Sequence, residues 1–523
     1  MTALTRWLGA LALAGIAHAA PAAAAATADP AALYGEHCAA CHGAERFGAM
    51  GPALLPESLE RLRAGELDAV LRDGRAATQM PAFAGTLDAA ELQGLARWLR
   101  AAPAAAPRWD DQAIRASHIV HRAPASLPAR PVFSADPQNL FVVVEAGSHH
   151  MTVLDGDRLE PIHRLATRFA LHGGPKFSRD GRYVYMASRD GWVSKYDLWN
   201  LAYVAEIRVG VNTRNVAVSD DGRWVLAGNT LPRTLVLLHA DDLSLARVID
   251  VTGRNGGHSR VSAVYDAAPR HSFIAALKDI PEVWELPYAD DAGAPLPSSA
   301  LLRPRAIELD EVLDDFFFDQ PYRHILGASR QGGGQVIDLQ RGRKVASLAL
   351  GGMPHLGSGI TWQRDGRAVM ASPDLGQGRI TVIDMQDWHT VATVPTNGPG
   401  FFLRSHERTP YAWADAMMSA RRDTLQVIDK QSLRVVGSVT PSPGRTAAHV
   451  EFTRDGRYAL VSLMERDGAI VVYDATTLQE VRRVPMDKPI GKYNVFNKTT
   501  RSAAPATERV ARSHCRSPTC KHR

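Results

Sequence analysis

The sequence predicts a small all-α domain followed by a large all-β domain built as an eight-bladed propeller. Three observations predict it. The motif Cys38-Ala39-Ala40-Cys41-His42 stands among helical patterns near the N-terminus. From residue 131 the pattern changes to short apolar runs separated by turns that contain Asp or Gly. That unit then recurs eight times, at about the period of a four-stranded propeller blade.

Length and composition set the frame. A chain of 523 residues holds two or more domains, and its 45% hydrophobic and 22% charged fractions are those of ordinary globular proteins. The net charge of +5 is diffuse, with no basic run, which argues against a nucleic-acid partner. Four cysteines, two in the motif and two at Cys515 and Cys520, are too few for a disulfide framework. Residues 1–26 carry Arg6, the apolar run Trp7 to Ala17 and small residues offering cleavage at Ala17-His18-Ala19, the pattern of a secretory signal. No later apolar run is long enough to span a membrane. An exported, periplasmic protein is expected.

Residues 29–103 read as the α domain. Pro30 to His37 fits a first helix with Asp29 as N-cap, and the motif follows at its end. Leu59 to Arg72 and Asp88 to Leu99 show the apolar spacing of two further helices, the last capped by Thr86 or Asp88. In Cys-x-x-Cys-His the two thiols add to haem vinyl groups and the imidazole ligates the iron, so Cys38, Cys41 and His42 predict one covalent haem c. Met80, on a loop before Pro81, supplies the sixth ligand, a thioether that raises the potential. A thioredoxin-like pair would need a following βαβ pattern, and a zinc site a second Cys pair nearby; neither is present. The order of helices, motif and Met loop resembles small class I c-type cytochromes.

Residues 101–107 are rich in Ala and Pro, and 104–130 read as a semi-rigid linker. The propeller spans 131–498. Its theme is clearest in Phe177 to Gly191, Val218 to Gly228, Trp362 to Asp384 and Phe452 to Asp474, with weaker copies near Ala135, Ala267, Asp319 and His406. The turns fall about 41 to 53 residues apart. Arginines in the Asp-Gly-Arg turns, Arg182, Arg223, Arg367 and Arg457, read as solvent-facing. The tail 499–523 lacks apolar periodicity and reads as disordered.

A c-type cytochrome fused to an eight-bladed propeller resembles the cytochrome cd1 nitrite reductase family, which includes the haem d1 maturation proteins. The resemblance is carried by Leu171 to Leu198, Gly210 to Asn215, Arg260 to Val264, Met353 to Gly359, His449 to Phe452 and Gly491 to Asn497. It implies a propeller of the haem d1-binding type, holding its tetrapyrrole without covalent bonds. By that resemblance His172 matches the proximal iron ligand and His355 one of two distal histidines. His449, on an inner loop of the last blade, is an axial ligand or an acid/base group. Haem d1 carries several carboxylates, which guanidinium groups pair with bidentately. Arg189 and Arg214 align with arginines that do this, and Arg164 is a third candidate. His149, His150, His258 and His406 read as structural.

Departures from the reductase pattern decide the expected activity. Asp315 to Asp319, with three phenylalanines, replaces the second distal histidine; Ser358 replaces an arginine; Glu145 stands where a propionate-binding arginine is expected. Reducing nitrite to nitric oxide needs two protons at one oxygen, so losing a donor weakens that reading. The chain is more similar to the branch that oxidises a propionate of dihydro-haem d1 to acrylate, the last step in making haem d1. His355 would be the base, and haem c would drain electrons to a periplasmic acceptor, with transient contact to the nitrite reductase that uses the product. The alternatives are a nitrite reductase with a one-histidine distal site, a non-catalytic haem d1 carrier, and a WD40-like scaffold, which leaves the fused cytochrome unexplained.

Overall fold

The computed structural model describes residues 28–60, 62, 65–74, 80–104, 108–329 and 333–500. The signal segment and the tail with Cys515 and Cys520 lie outside the described residues.

The α domain begins with α1 (Pro30–His37), capped by Asp29 as expected, and runs into α2 (Ala39–His42), which carries the end of the motif. The stretch Leu59 to Arg72 is not one helix. It divides into α3 (Pro56–Leu59) and α4 (Glu66–Asp73), because Gly65 takes φ +83° at the start of α4, a left-handed conformation that no continuous helix contains. α5 (Ala89–Arg100) starts at Asp88, whose carboxylate accepts from Glu91 N–H while Glu91 reaches back to Asp88 N–H. This capping box excludes Thr86 as the cap. Leu33, Leu71, Leu95 and Leu99 form the core of this domain.

Residues 104–130 do more than link. α6 (Asp111–Ala116) buries Ile114 in a propeller core, and the strand Ile119–Val120 pairs with Ala202–Arg208 as a fifth strand at a blade edge. Covering an edge in this way removes a row of unpaired backbone groups.

Eight sheets, seven of four strands and this one of five, form the ring. In seven of the eight anchor regions the expected turn joins a blade's first two strands, near Ala135 a short 3-10 turn leads instead into the second strand of its blade, and all pairings are antiparallel. The aspartates ending the third strands explain part of the repeat. Asp155, Asp197, Asp338, Asp384, Asp429 and Asp474 each accept from two backbone N–H groups just beyond, closing a turn. Several turn arginines also fold back onto these carboxylates: Arg182, largely buried, on Asp197 (2.7 Å), and Arg323, still half-exposed, on Asp338 (2.9 Å). Arg367 likewise bonds Asp384. The ring is shut by the C-terminal strand Pro489–Asn494, which pairs with Leu140–Glu145 as the inner strand of the first blade.

The two domains meet along an apolar seam of Ala53, Leu55 and Val211, flanked by Phe47, Trp109 and Leu231. Arg208, buried, reaches from the propeller to the carbonyls of Phe47 and Gly48 and lies 4.6 Å from the Trp109 ring. Arg260 joins Glu60 of the cytochrome (2.9 Å) to Asp279 of the propeller (2.7 Å). No helix among the described residues is long and apolar enough to cross a membrane.

Candidate functional site

One cavity of ≈ 2120 Å³ joins the motif of the α domain to the centre of the propeller. Ligand pockets usually enclose about 300–1,000 Å³, so this volume suits two macrocycles better than one. Its α-domain wall carries Cys38, Cys41, His42 and Met80. His42 Nδ1 lies 2.7 Å from Pro52 O, an acceptor, so Nδ1 holds the proton and Nε2 keeps its lone pair. Gly51 permits this placement: a Cβ there would lie 2.7 Å from the imidazole. A neutral histidine, a thioether and two thiols around one space fit a c-type haem.

On the propeller side the inner strands supply the wall. Arg189, Arg214, His355 and His449 all line it. His449 sits at a register shift between Ala448 and Val450, with φ +52°; the bulge turns its side chain toward the cavity. Its carbonyl accepts from the fully buried Lys492 ammonium, and its ring lies 4.6 Å from Phe402 and 5.2 Å from Tyr493. Burial, then Lys492 and Lys498, push its pKa well below that of free histidine, so it stays neutral and able to ligate iron. Its buried Nδ1 has no hydrogen-bond partner among the described residues.

His355 is held differently. Its Nδ1 lies 2.9 Å from Phe401 O, which can only accept, so Nδ1 is protonated and Nε2 is a free base. Burial lowers its pKa against the opposing pull of Asp315 and the Phe401 carbonyl, with Arg214 adding to the decrease. His355 is therefore unprotonated at neutral pH. Phe317 lines the same wall, as does Asp315, which accepts from Tyr265 Oη at 2.9 Å.

One expected residue falls elsewhere. Arg164 does not line the cavity: its guanidinium forks onto the buried Glu145 (2.9 and 3.3 Å) and Ser148 (2.7 Å). The unexpected carboxylate at 145 needs that cation, so Arg164 balances a buried charge. His172 lies on the inner strand Leu171–Phe177, paired with Ala187, and its side chain is outside the described residues.

Other residues of the site were not anticipated. His149, expected to be structural, lines the cavity against Phe169 (5.0 Å). Lys176, Arg404, Tyr493 and Lys498 also line it. Arg404 pairs with the buried Glu451 at 2.8 Å. Burial pushes the ammonium groups down, Lys176 to about 8 with Asp315 opposing, and Lys498 to about 7 with Arg404 adding to the effect. Lys498 is exposed to the cavity, and its proton is the easier lost. So many cations around one apolar space form a receptor for a flat ligand bearing several carboxylates. Their signal in the sequence is position: Lys176 shares its inner strand with His172, and Tyr493 lies on the strand that shuts the ring.

The comparisons agree with this geometry. Residues 135–498 match the family model of the cytochrome D1 heme domain, and 25–99 that of the cytochrome C oxidase, cbb3-type, subunit III. Dihydro-heme d1 dehydrogenase of Pseudomonas aeruginosa is 58% identical over 89% of this chain and 93% of its own length. Nitrite reductase of Stutzerimonas stutzeri is 24% identical over 89% of this chain and 92% of its own. A solved structure, dihydro-heme d1 dehydrogenase NirN in complex with DHE, superposes with a TM-score of 0.86 at 57% identity, covering 90% of this chain and 100% of that one. The chain thus belongs to the cytochrome cd1 family, on its dihydro-haem d1 dehydrogenase branch.

Proposed function

We propose that the chain is a periplasmic dihydro-haem d1 dehydrogenase that oxidises a propionate side chain of its tetrapyrrole to acrylate, completing haem d1. The observation that carries this is His355: a neutral imidazole with its Nδ1 proton fixed and Nε2 free, on the wall of a cavity that also holds the Cys38 to His42 motif. Turning CH₂–CH₂ into CH=CH removes two protons and two electrons. His355 takes the protons in turn, releasing the first to water in the cavity. Cys38 and Cys41 would bind one haem c and His42 and Met80 would ligate its iron; the group would supply one-electron chemistry, so a periplasmic acceptor is needed between the two electrons. His449 or His172 holds the substrate iron. Arg189, Arg214, Arg404, Lys176 and Lys498 receive the carboxylates. The product then passes to the nitrite reductase. Phe317 on the cavity wall favours this reading over nitrite reduction, since an apolar ring cannot deliver a proton.

Incubating the protein, its haem c oxidised, with dihydro-haem d1 tests the proposal. With a one-electron acceptor present, the expected result is the acrylate spectrum with two equivalents of acceptor reduced for each product. An unchanged tetrapyrrole spectrum would replace the dehydrogenase with a carrier, and fast nitrite reduction would point to a reductase.

Binding should also depend on pH. Protonated ammonium groups attract carboxylates, and Lys176 and Lys498 lose their protons near pH 8 and 7 when no carboxylate is seated against them. Tetrapyrrole affinity is expected to fall between pH 7 and 9, by up to about tenfold for each unit above each pKa. Calorimetry near pH 7.5 in two buffers of different ionisation enthalpy should register proton uptake on binding; none would remove these lysines from the carboxylate sites.

A further inference from the structure

The hydrogen bond that fixes His355 leads to a carboxylate one peptide group away. The acceptor, Phe401 O, belongs to the peptide joining Phe401 to Phe402, and the N–H of that same peptide donates to Asp415 Oδ2 at 2.8 Å. Asp415 Oδ1 accepts from Phe401 N–H at 2.9 Å and from Met417 N–H at 3.1 Å. The aspartate is 3% exposed. Gly400 allows the close approach, since a Cβ there would lie 2.0 Å from the Asp415 carbonyl oxygen. The segment held in this way touches both channel histidines, Phe401 at 4.2 Å from the His355 ring and Phe402 at 4.6 Å from His449.

We propose that Asp415 is a positioning residue for the His355 base, acting through the 401–402 peptide. A carboxylate pulling on the N–H of a peptide raises the negative charge on its carbonyl oxygen. That oxygen then holds the Nδ1 proton more strongly and stabilises the imidazolium that forms when Nε2 takes a substrate proton. The logic is that of the aspartate in a Ser-His-Asp triad, which fixes the tautomer and stabilises the cation without itself accepting the proton. Here one peptide stands between the two groups. Burial pushes the Asp415 carboxyl up to about 6, against the backbone N–H groups of Phe401, Met417 and Phe402, so it is charged at neutral pH. The other charged groups influencing His355 are Asp315 and Arg214.

This inference rests on the proposed dehydrogenase reading. Its test is Asp415→Asn in the full-length holo-protein. The expected result is a kcat lower by about 10- to 100-fold, within what a general base contributes, with the KM for dihydro-haem d1 little changed. The acid limb of the kcat profile should move to lower pH, because the imidazolium is less stable without the carboxylate. Wild-type kcat in the folded variant, a lower kcat with an unmoved acid limb, or a matching change in KM would overturn it. Because the variant can fail to fold, the wild type supplies a second measurement, ¹⁵N NMR of labelled histidine in the ferrous protein. A neutral His355 protonated at Nδ1, with a second titration step near pH 6, is expected. A proton on Nε2, or a single step, would overturn the proposal. Wild-type protein that makes no acrylate, or a fully active His355→Ala, counts against the dehydrogenase reading instead.

Discussion

Replacing His355 by alanine is expected to stop acrylate formation while the protein still binds dihydro-haem d1. General-base catalysis contributes about 10²- to 10⁴-fold, and none of the other channel groups can replace this one easily. Tyr493 is pushed up to about 12 by burial, so it is protonated and cannot act as a base near pH 7. The arginines of the wall and Lys176 hold protons at pH 7 and repel a further positive charge, and Lys498, pushed down to about 7, keeps its proton once a carboxylate is seated against it. Binding survives because the carboxylates meet those cations, and His449 stands apart from His355 across the Phe401–Phe402 pair. Single-turnover reduction of haem c reads the effect, with tetrapyrrole binding followed by absorbance. Activity in the wild type should be lost as pH falls through the depressed His355 pKa, below the ordinary histidine value, since the base must be unprotonated. Alanine at 355 with full activity would end the base assignment.

The second large effect is on stability. Glu451 is 1% exposed, bonded to Arg404 (2.8 Å) and Asn497 (3.0 Å), and it is the anion among Arg404, Lys492 and Lys498. Glu451→Ala leaves those cations without it. Breaking a buried ion pair by removing one partner costs about 3–5 kcal/mol. A denaturant midpoint unchanged from wild type would show that water or another group compensates. Burial alone would raise the Glu451 pKa, but Arg404 and Lys498 overcome it and hold the carboxyl below its usual range. The stability it contributes is therefore present above the unfolded carboxylate pKa and is lost as pH falls through the lower, folded value.

Much of this was legible because its causes are local. The Cys38 to His42 motif, the Asp29 cap and the turns at each blade are set by neighbours a few residues apart, so the sequence displays them directly. The cavity wall is different. Strand residues alternate faces, and a single extra residue reverses that alternation. The register shift at Ala448/Val450 does this on the inner strand that carries His449, and two extra residues between His172 and Lys176 interrupt the pairing of the strand that carries both. Family resemblance placed His449; periodicity alone would not have. Arg164 was misplaced because its partner, Glu145, is a buried acid whose need for a cation appears only once the strands pair. Lys498 and Tyr493 lie some 320 residues from Lys176 in sequence and meet it only when the ring closes.

That closure has a consequence for how the protein matures. The strand Pro489–Asn494 completes the first blade and also brings Lys492 under the His449 carbonyl and Tyr493 to the cavity wall. The strand that finishes the ring thus also finishes the receptor. A chain cut short before Pro489 has neither. Assembly of the cavity wall is in this way tied to closure of the ring, because one strand does both.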